Sequence, residues 1–121
     1  MNRESQNFVE LILELMPQLI PIYEDEVAFW SPGKPLDTTT LSRLGSAIAE
    51  SFDSFSEDVI KQLFQSVELV VARPIDDRLS TVVATGLLEG LSAGMRGRSG
   101  LWDRIVPLLG SASRHHIESW R

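Results

Sequence analysis

The chain has 121 residues, 43% of them apolar and 23% charged, a globular composition in the size range of one domain and long enough to bury a core without covalent staples. It has no cysteine, which excludes a disulfide framework, a thiolate nucleophile and a zinc–thiolate site together. The net charge of −6 is unevenly divided: residues 1–93 hold 15 acidic and 6 basic side chains and residues 94–121 hold 2 and 5, so a body of −9 carries a tail of +3.

Phe8, Leu11, Ile12 and Leu15 recur at i, i+3, i+4, i+7 and predict a helix over about Ser5–Met16, with Ser5 or Asn7 as its cap. Glu10 and Glu14 interrupt this apolar run, so it is neither a signal core nor a membrane span, and a cytoplasmic location is expected. Pro17 breaks the helix, and Pro17 or Pro21 opens a second one ending near Trp30. SPGKPLDTTT reads as the longest loop. From Thr40, the residues Leu41, Leu44, Ile48, Phe52 and Phe55 form a one-sided helical stripe.

The next helix starts at Ser56, with Glu57 and Asp58 in its first turn, and ends at Arg73-Pro74 because the residue before proline avoids the α region. Asp76 and Asp77 open the following helix. On its apolar face, among Val82, Val83 and Leu87, lie Gly86 and Gly90, with Gly94 on the same ridge or at the C-cap. A glycine inside a helix costs about 1 kcal/mol against alanine, so the ridge implies close approach of another backbone. GMRGRSG is then a connector, Leu101–Leu109 a short helix interrupted by Pro107, and RHHIESW a last short helix. No period-two strand pattern occurs. The expected fold is all-α: a compact bundle of five or six antiparallel helices in a single domain, 1–121, with 95–121 as a basic segment packed on it.

Chemistry is sparse. Glu68 and Glu89 sit inside the apolar runs VELVV and GLLEGL, where paired carboxylates could serve as acid and base, but a helical wheel puts Glu68 beside Lys61 and Glu89 beside Arg78, as flanking charges. His115 and His116 are adjacent and so diverge by about 100° on a helix, which does not make a two-histidine metal site. No nucleophile elbow or phosphate loop is present. The expectation is therefore a protein that is not an enzyme and uses no metal or cofactor.

Three acidic clusters remain: Glu24, Asp25 and Glu26; Asp53, Glu57 and Asp58; Asp76 and Asp77. The last two fit helix N-termini, where the dipole favours them. They also suggest an acidic face that docks a basic protein, with Trp30 beside the SPGKP loop as the best exposed aromatic anchor and Trp102 and Trp120 as others. The same charge disfavours nucleic acid and anionic membrane.

The segments FVELILELMPQL, VATGLLEGL and LWDRIVPLLG, in that order, resemble an uncharacterised family of small bacterial helical proteins met beside polymorphic toxin genes and regarded as candidate immunity proteins. The resemblance spans most of the chain through short apolar words, and MRGRSG departs from it. It implies a helical fold and neutralisation of a cognate toxin by occluding its active site, and assigns no residue by position. The alternative is a homo-oligomeric scaffold, possible as a homodimer, in which the basic tail of one copy meets the acidic body of another.

Overall fold

In the computed structural model, which describes residues 1–119, helix α1 (Arg3–Leu15) is started by Asn2, whose side chain accepts the Ser5 N–H at 2.9 Å. The expected cap, Ser5, is instead buried and donates its hydroxyl to Asp37. Pro17 opens a 3-10 turn, Pro17–Leu19, which leads into α2 (Ile20–Trp30). Helix α3 (Asp37–Glu50) begins three residues earlier than the pattern suggests, because the Asp37 carboxylate accepts the Thr38 N–H and satisfies an open donor of the first turn. It also ends before the last two members of its stripe. Phe52 falls in a separate 3-10 turn (Phe52–Ser54), and Phe52 and Phe55 lie half-buried beyond the helix.

Helix α4 (Glu57–Val71) is capped by Ser56, as its sequence indicates. The chain then turns at 72–77, and Asp77 caps α5 through the Ser80 N–H at 2.9 Å. Helix α5 covers 78–95 in three parts: Arg78–Val82, a wider π-helical segment Val83–Leu88, and Glu89–Met95. Its exposed positions are few (Arg78, Thr81, Thr85 and Ala93), so it is buried almost all round and lies at the centre of the fold. Helix α6 (Leu101–Ile105) runs into a 3-10 turn at Val106–Leu108, and α7 (Ser111–Glu118) follows. Among the described residues there are seven helices and no strand. The two short ones come from the tail, whose Leu101, Ile105, Val106, Leu109 and Ile117 are buried in the common core.

The glycine ridge sets the geometry. A Cβ at Gly86 would lie 2.9 Å from the Thr38 carbonyl oxygen, one at Gly90 2.7 Å from the Ser42 carbonyl carbon, and one at Gly94 2.8 Å from the Ser46 carbonyl oxygen. The pairs 38/86, 42/90 and 46/94 advance together, so α3 and α5 run in the same direction, with α4 returning between them. Gly45 completes the contact from α3, since its Cβ would come within 2.8 Å of the Leu91 backbone nitrogen. Gly94 is thus an interior crossing residue rather than a C-cap. The Ser46 hydroxyl spans the contact to the Gly90 carbonyl at 2.9 Å.

Candidate functional site

The carboxylates divide into those the fold uses and those it leaves outside. Asp37, in the first turn of α3, accepts the Thr38 N–H, the Ser5 hydroxyl and the Arg78 guanidinium, the last at 2.7 Å. Burial alone pushes its carboxyl up, but the Thr38 N–H, the Ser5 hydroxyl and the Arg78 charge and hydrogen bond together hold it below its ordinary value. This one side chain ties the starts of α1, α3 and α5 together.

Glu68 has a similar role toward α7. It accepts the Ala112 N–H at 2.9 Å, the Ser113 N–H at 3.0 Å and the Ser113 hydroxyl at 2.8 Å, and so caps α7 from outside. The residue at the N-cap position of α7 is Gly110, which has no side chain to cap with and leaves the room that the Glu68 carboxylate fills. Burial again pushes the carboxyl up, and the three hydrogen bonds outweigh it and hold Glu68 below its ordinary value. Glu89 meets His116 at 3.2 Å. Each of these carboxylates is therefore committed to a partner in α7, not to the neighbouring Lys61 or Arg78 that the helical wheel suggests. The two adjacent histidines differ accordingly: His115 is exposed, whereas His116 is half-buried on Glu89.

The nine residues expected to bind a partner do not form one cluster. Asp53, Glu57 and Asp58 lie at the start of α4, and Asp76 and Asp77 lie beyond its end, about 20 Å away at 1.5 Å per residue. Asp53 pairs with Arg104, whose hydrogen bond and charge hold its carboxyl below the ordinary value. Asp77 caps α5 and faces Arg73 at 3.6 Å. Glu57, Asp58 and Asp76 are exposed and unpaired.

On α2 the division is sharpest. Glu26 is only 4% exposed; it accepts Trp30 Nε1 at 2.9 Å and Arg43 at 3.1 Å. Trp30, expected as an exposed anchor, is half-buried on this pair because its indole N–H needs an acceptor. Its neighbour Phe29 is the exposed aromatic, at 75%, and packs edge-on against it with ring centres 5.4 Å apart. Glu24 and Asp25 are exposed and unpaired. Trp102 is half-buried, and Trp120 lies outside the described residues.

A cleft of about 370 Å³ opens between the start of α4 and the segment around Leu108, lined by Phe52, Phe55, Ile60 and Leu108 with Asp53, Glu57, Lys61 and Arg104 at its rim. The Arg104 guanidinium lies over the Phe52 ring, 5.3 Å from its centre, and closes one wall while it holds Asp53. No buried side-chain polar atom among the described residues lacks a hydrogen-bond partner. No helix among them is long and apolar enough to cross a membrane.

Fold and surface together define an all-α domain whose interior carboxylates bind its own helices and whose remaining carboxylates face outward. The chain belongs to the DUF7674 family, a domain of unknown function that matches residues 9–121. Neither a curated protein nor a solved structure matches it.

Proposed function

We propose that this domain is a cytoplasmic protein-binding module that recognises a basic protein, and that the partner is a toxin neutralised by occlusion of its active site. The observation that carries the reading is the surplus of uncommitted acid. Among the described residues, Glu10, Glu14, Glu24, Asp25, Glu50, Glu57, Asp58, Asp76, Asp103 and Glu118 are exposed with no ion pair. Arg43, Arg73, Arg78 and Arg104 are held by carboxylates of the same chain, and the exposed cations without a partner, Arg3, Lys34, Lys61 and Arg96, are fewer than the free acids. Such a surface attracts a cationic partner and speeds its encounter. The order of segments described above supplies the toxin-directed part of the reading.

The scaffold alternative draws less support. Three of the tail arginines it needs are engaged at home: Arg98 donates to the Gly94 carbonyl, Arg104 to Asp53 and Arg114 to the Pro107 carbonyl, while Arg96 is exposed without a partner. The test is co-purification with the product of the adjacent gene, for the wild type and for a chain with Glu57, Asp58 and Asp76 changed to lysine. None of these three makes a hydrogen bond or ion pair, unlike Asp53 and Asp77; Glu57 and Asp58 do lie in the first turn of α4, where the dipole favours acid, so melting curves of the lysine chain accompany the capture. Capture that weakens with salt and with charge reversal is expected; capture indifferent to both would end the basic-partner reading.

A further inference from the structure

We infer that the outer face of α2 is the docking surface of this domain, and that its occupant is an amphipathic helical segment of the partner carrying lysine or arginine among apolar residues. The inference rests on the basic-partner reading and gives it a place. Helix α2, IPIYEDEVAFW, is mostly apolar, yet the one side chain it buries fully is Glu26. At about 100° per residue, Val27, Ile20, Glu24, Ala28, Pro21, Asp25 and Phe29 follow one another over an arc of about 200°, with Glu24, Ala28, Pro21 and Asp25 opposite Glu26 and Val27 and Phe29 at the two ends. All seven are exposed. Ile20 and Val27 thus form one apolar edge and Phe29 the other, with two carboxylates between them. Leu36, 54% exposed, lies on the loop just beyond.

The face carries apolar side chains at both ends, with Phe29 the most exposed at 75%, and is charged at its centre. Charge selects the occupant. Glu24 and Asp25 are unpaired and α2 contains no lysine or arginine, so a cation set among apolar residues is what complements them. A second copy docked face to face would bring these carboxylates against one another. The face is also held in position: Glu26 is clamped by Arg43 from α3, Trp30 donates to the same carboxylate, and Phe29 leans on Trp30.

The test uses the full chain, isotopically labelled, titrated with a synthetic leucine/lysine amphipathic helix of about 18 residues, or five turns, and with its leucine/glutamate counterpart. The lysine peptide is expected to shift the amide resonances of 20–30, and the glutamate peptide to leave them unmoved. Phe29→Ser, and separately Glu24→Lys with Asp25→Lys, should each weaken binding by about tenfold or more; the charge reversal should leave the melting temperature unchanged, since those two side chains are exposed and unpaired, whereas Phe29→Ser also removes the ring contact with Trp30. Shifts centred on Glu57 and Asp58 or on Asp76 would refute the placement while leaving the basic-partner reading intact. Binding of neither peptide would refute the inference, and the co-purification experiment then decides the broader reading separately. Self-association abolished by Phe29→Ser would also overturn it, in favour of a second copy.

Discussion

Gly90→Ala tests the contact on which the architecture depends. The added Cβ would sit 2.7 Å from both the carbonyl carbon and the Cα of Ser42 and would overlap the carbonyl oxygen, where ordinary contact begins near 3.4 Å. What it meets is backbone in the middle of a helix, so no side chain can swing aside and α3 must move away from α5 by several tenths of an ångström or more. Overpacking of this kind costs about 1–3 kcal/mol. Separation also stretches the Ser46 hydroxyl bond to the Gly90 carbonyl, worth about 1 kcal/mol, while alanine returns about 1 kcal/mol of helix propensity. The net expectation is a loss of about 2 kcal/mol, or roughly 8 °C in melting temperature for a domain of this size. Urea and thermal melts followed by circular dichroism measure it. Gly45→Ala should act alike, and the double variant should lose less than the two singles combined, because one separation relieves both overlaps. Exposed Ala93→Gly, which adds no atom, reports the propensity term alone. If Gly90→Ala matches or exceeds the wild type, the two backbones are not in contact at 42/90 and the parallel crossing is wrong.

Glu68→Ala removes the acceptor of two N–H groups and a buried hydroxyl at the start of α7 and should cost about 2–3 kcal/mol in urea melts, with Glu68→Gln recovering part of it. Glu68 and Asp37 are both held below their ordinary values of 4.5 and 3.8, so the unfolded chain takes up their protons first as pH falls. Their stabilisation is therefore complete above about pH 4.5 and drains away below it, and the loss measured between pH 6 and pH 3 should be smaller in Glu68→Gln. Arg43→Ala leaves the buried Glu26 with Trp30 as its remaining partner; a loss of about 1–3 kcal/mol and a shifted tryptophan emission are expected, and unchanged exchange of the α2 amides with solvent would contradict the clamp. Asp77→Ala should cost about 1 kcal/mol as a lost cap, whereas Asp76→Ala should stay within about 0.5 kcal/mol, and equal melting temperatures for the two would show that Asp77 is not the cap.

The helical stripes carried most of the fold because they record local burial, and the glycine spacing exposed the central crossing because a missing Cβ has few other uses inside a helix. Their limits are physical as well. The stripe through Phe52 and Phe55 continued past the end of α3 because half-buried aromatics in a turn keep the same apolar signature as helix positions. The first cap was misassigned for a related reason: Asn2 and Ser5 both offer an oxygen, and only the tertiary partner, Asp37, decides which one stays with the backbone. The acidic residues were least legible. Glu24, Asp25 and Glu26 are consecutive and chemically alike, yet one is clamped inside while two face outward, a difference set by Arg43 seventeen residues away. The single local sign of the Glu68 cap was Gly110, a helix start with no side chain to supply its own acceptor, and nothing nearby in sequence names the carboxylate that fills the gap.

The position of α2 follows from what α3 must do with its two sides. One side is given to the close contact with α5, where Thr38, Ser42, Gly45 and Ser46 keep the backbones near each other and large side chains are excluded. Arg43 points away from that contact, toward α2, and keeps its guanidinium half-exposed beside the Glu26 carboxylate, which is buried and cannot remain so without a donor. Glu26 supplies the acceptor, and the helix that carries it is thereby attached through a charge-assisted bond rather than through its hydrophobic residues. Rotating α2 to bury Val27 or Phe29 would withdraw Glu26 from Arg43 and Trp30 and leave a carboxylate and an indole N–H without partners. The polar clamp and the outward apolar face are one arrangement. Weakening the clamp should therefore free α2 to turn, so Arg43→Ala should impair partner docking on this helix even though residue 43 itself lies outside the proposed contact face.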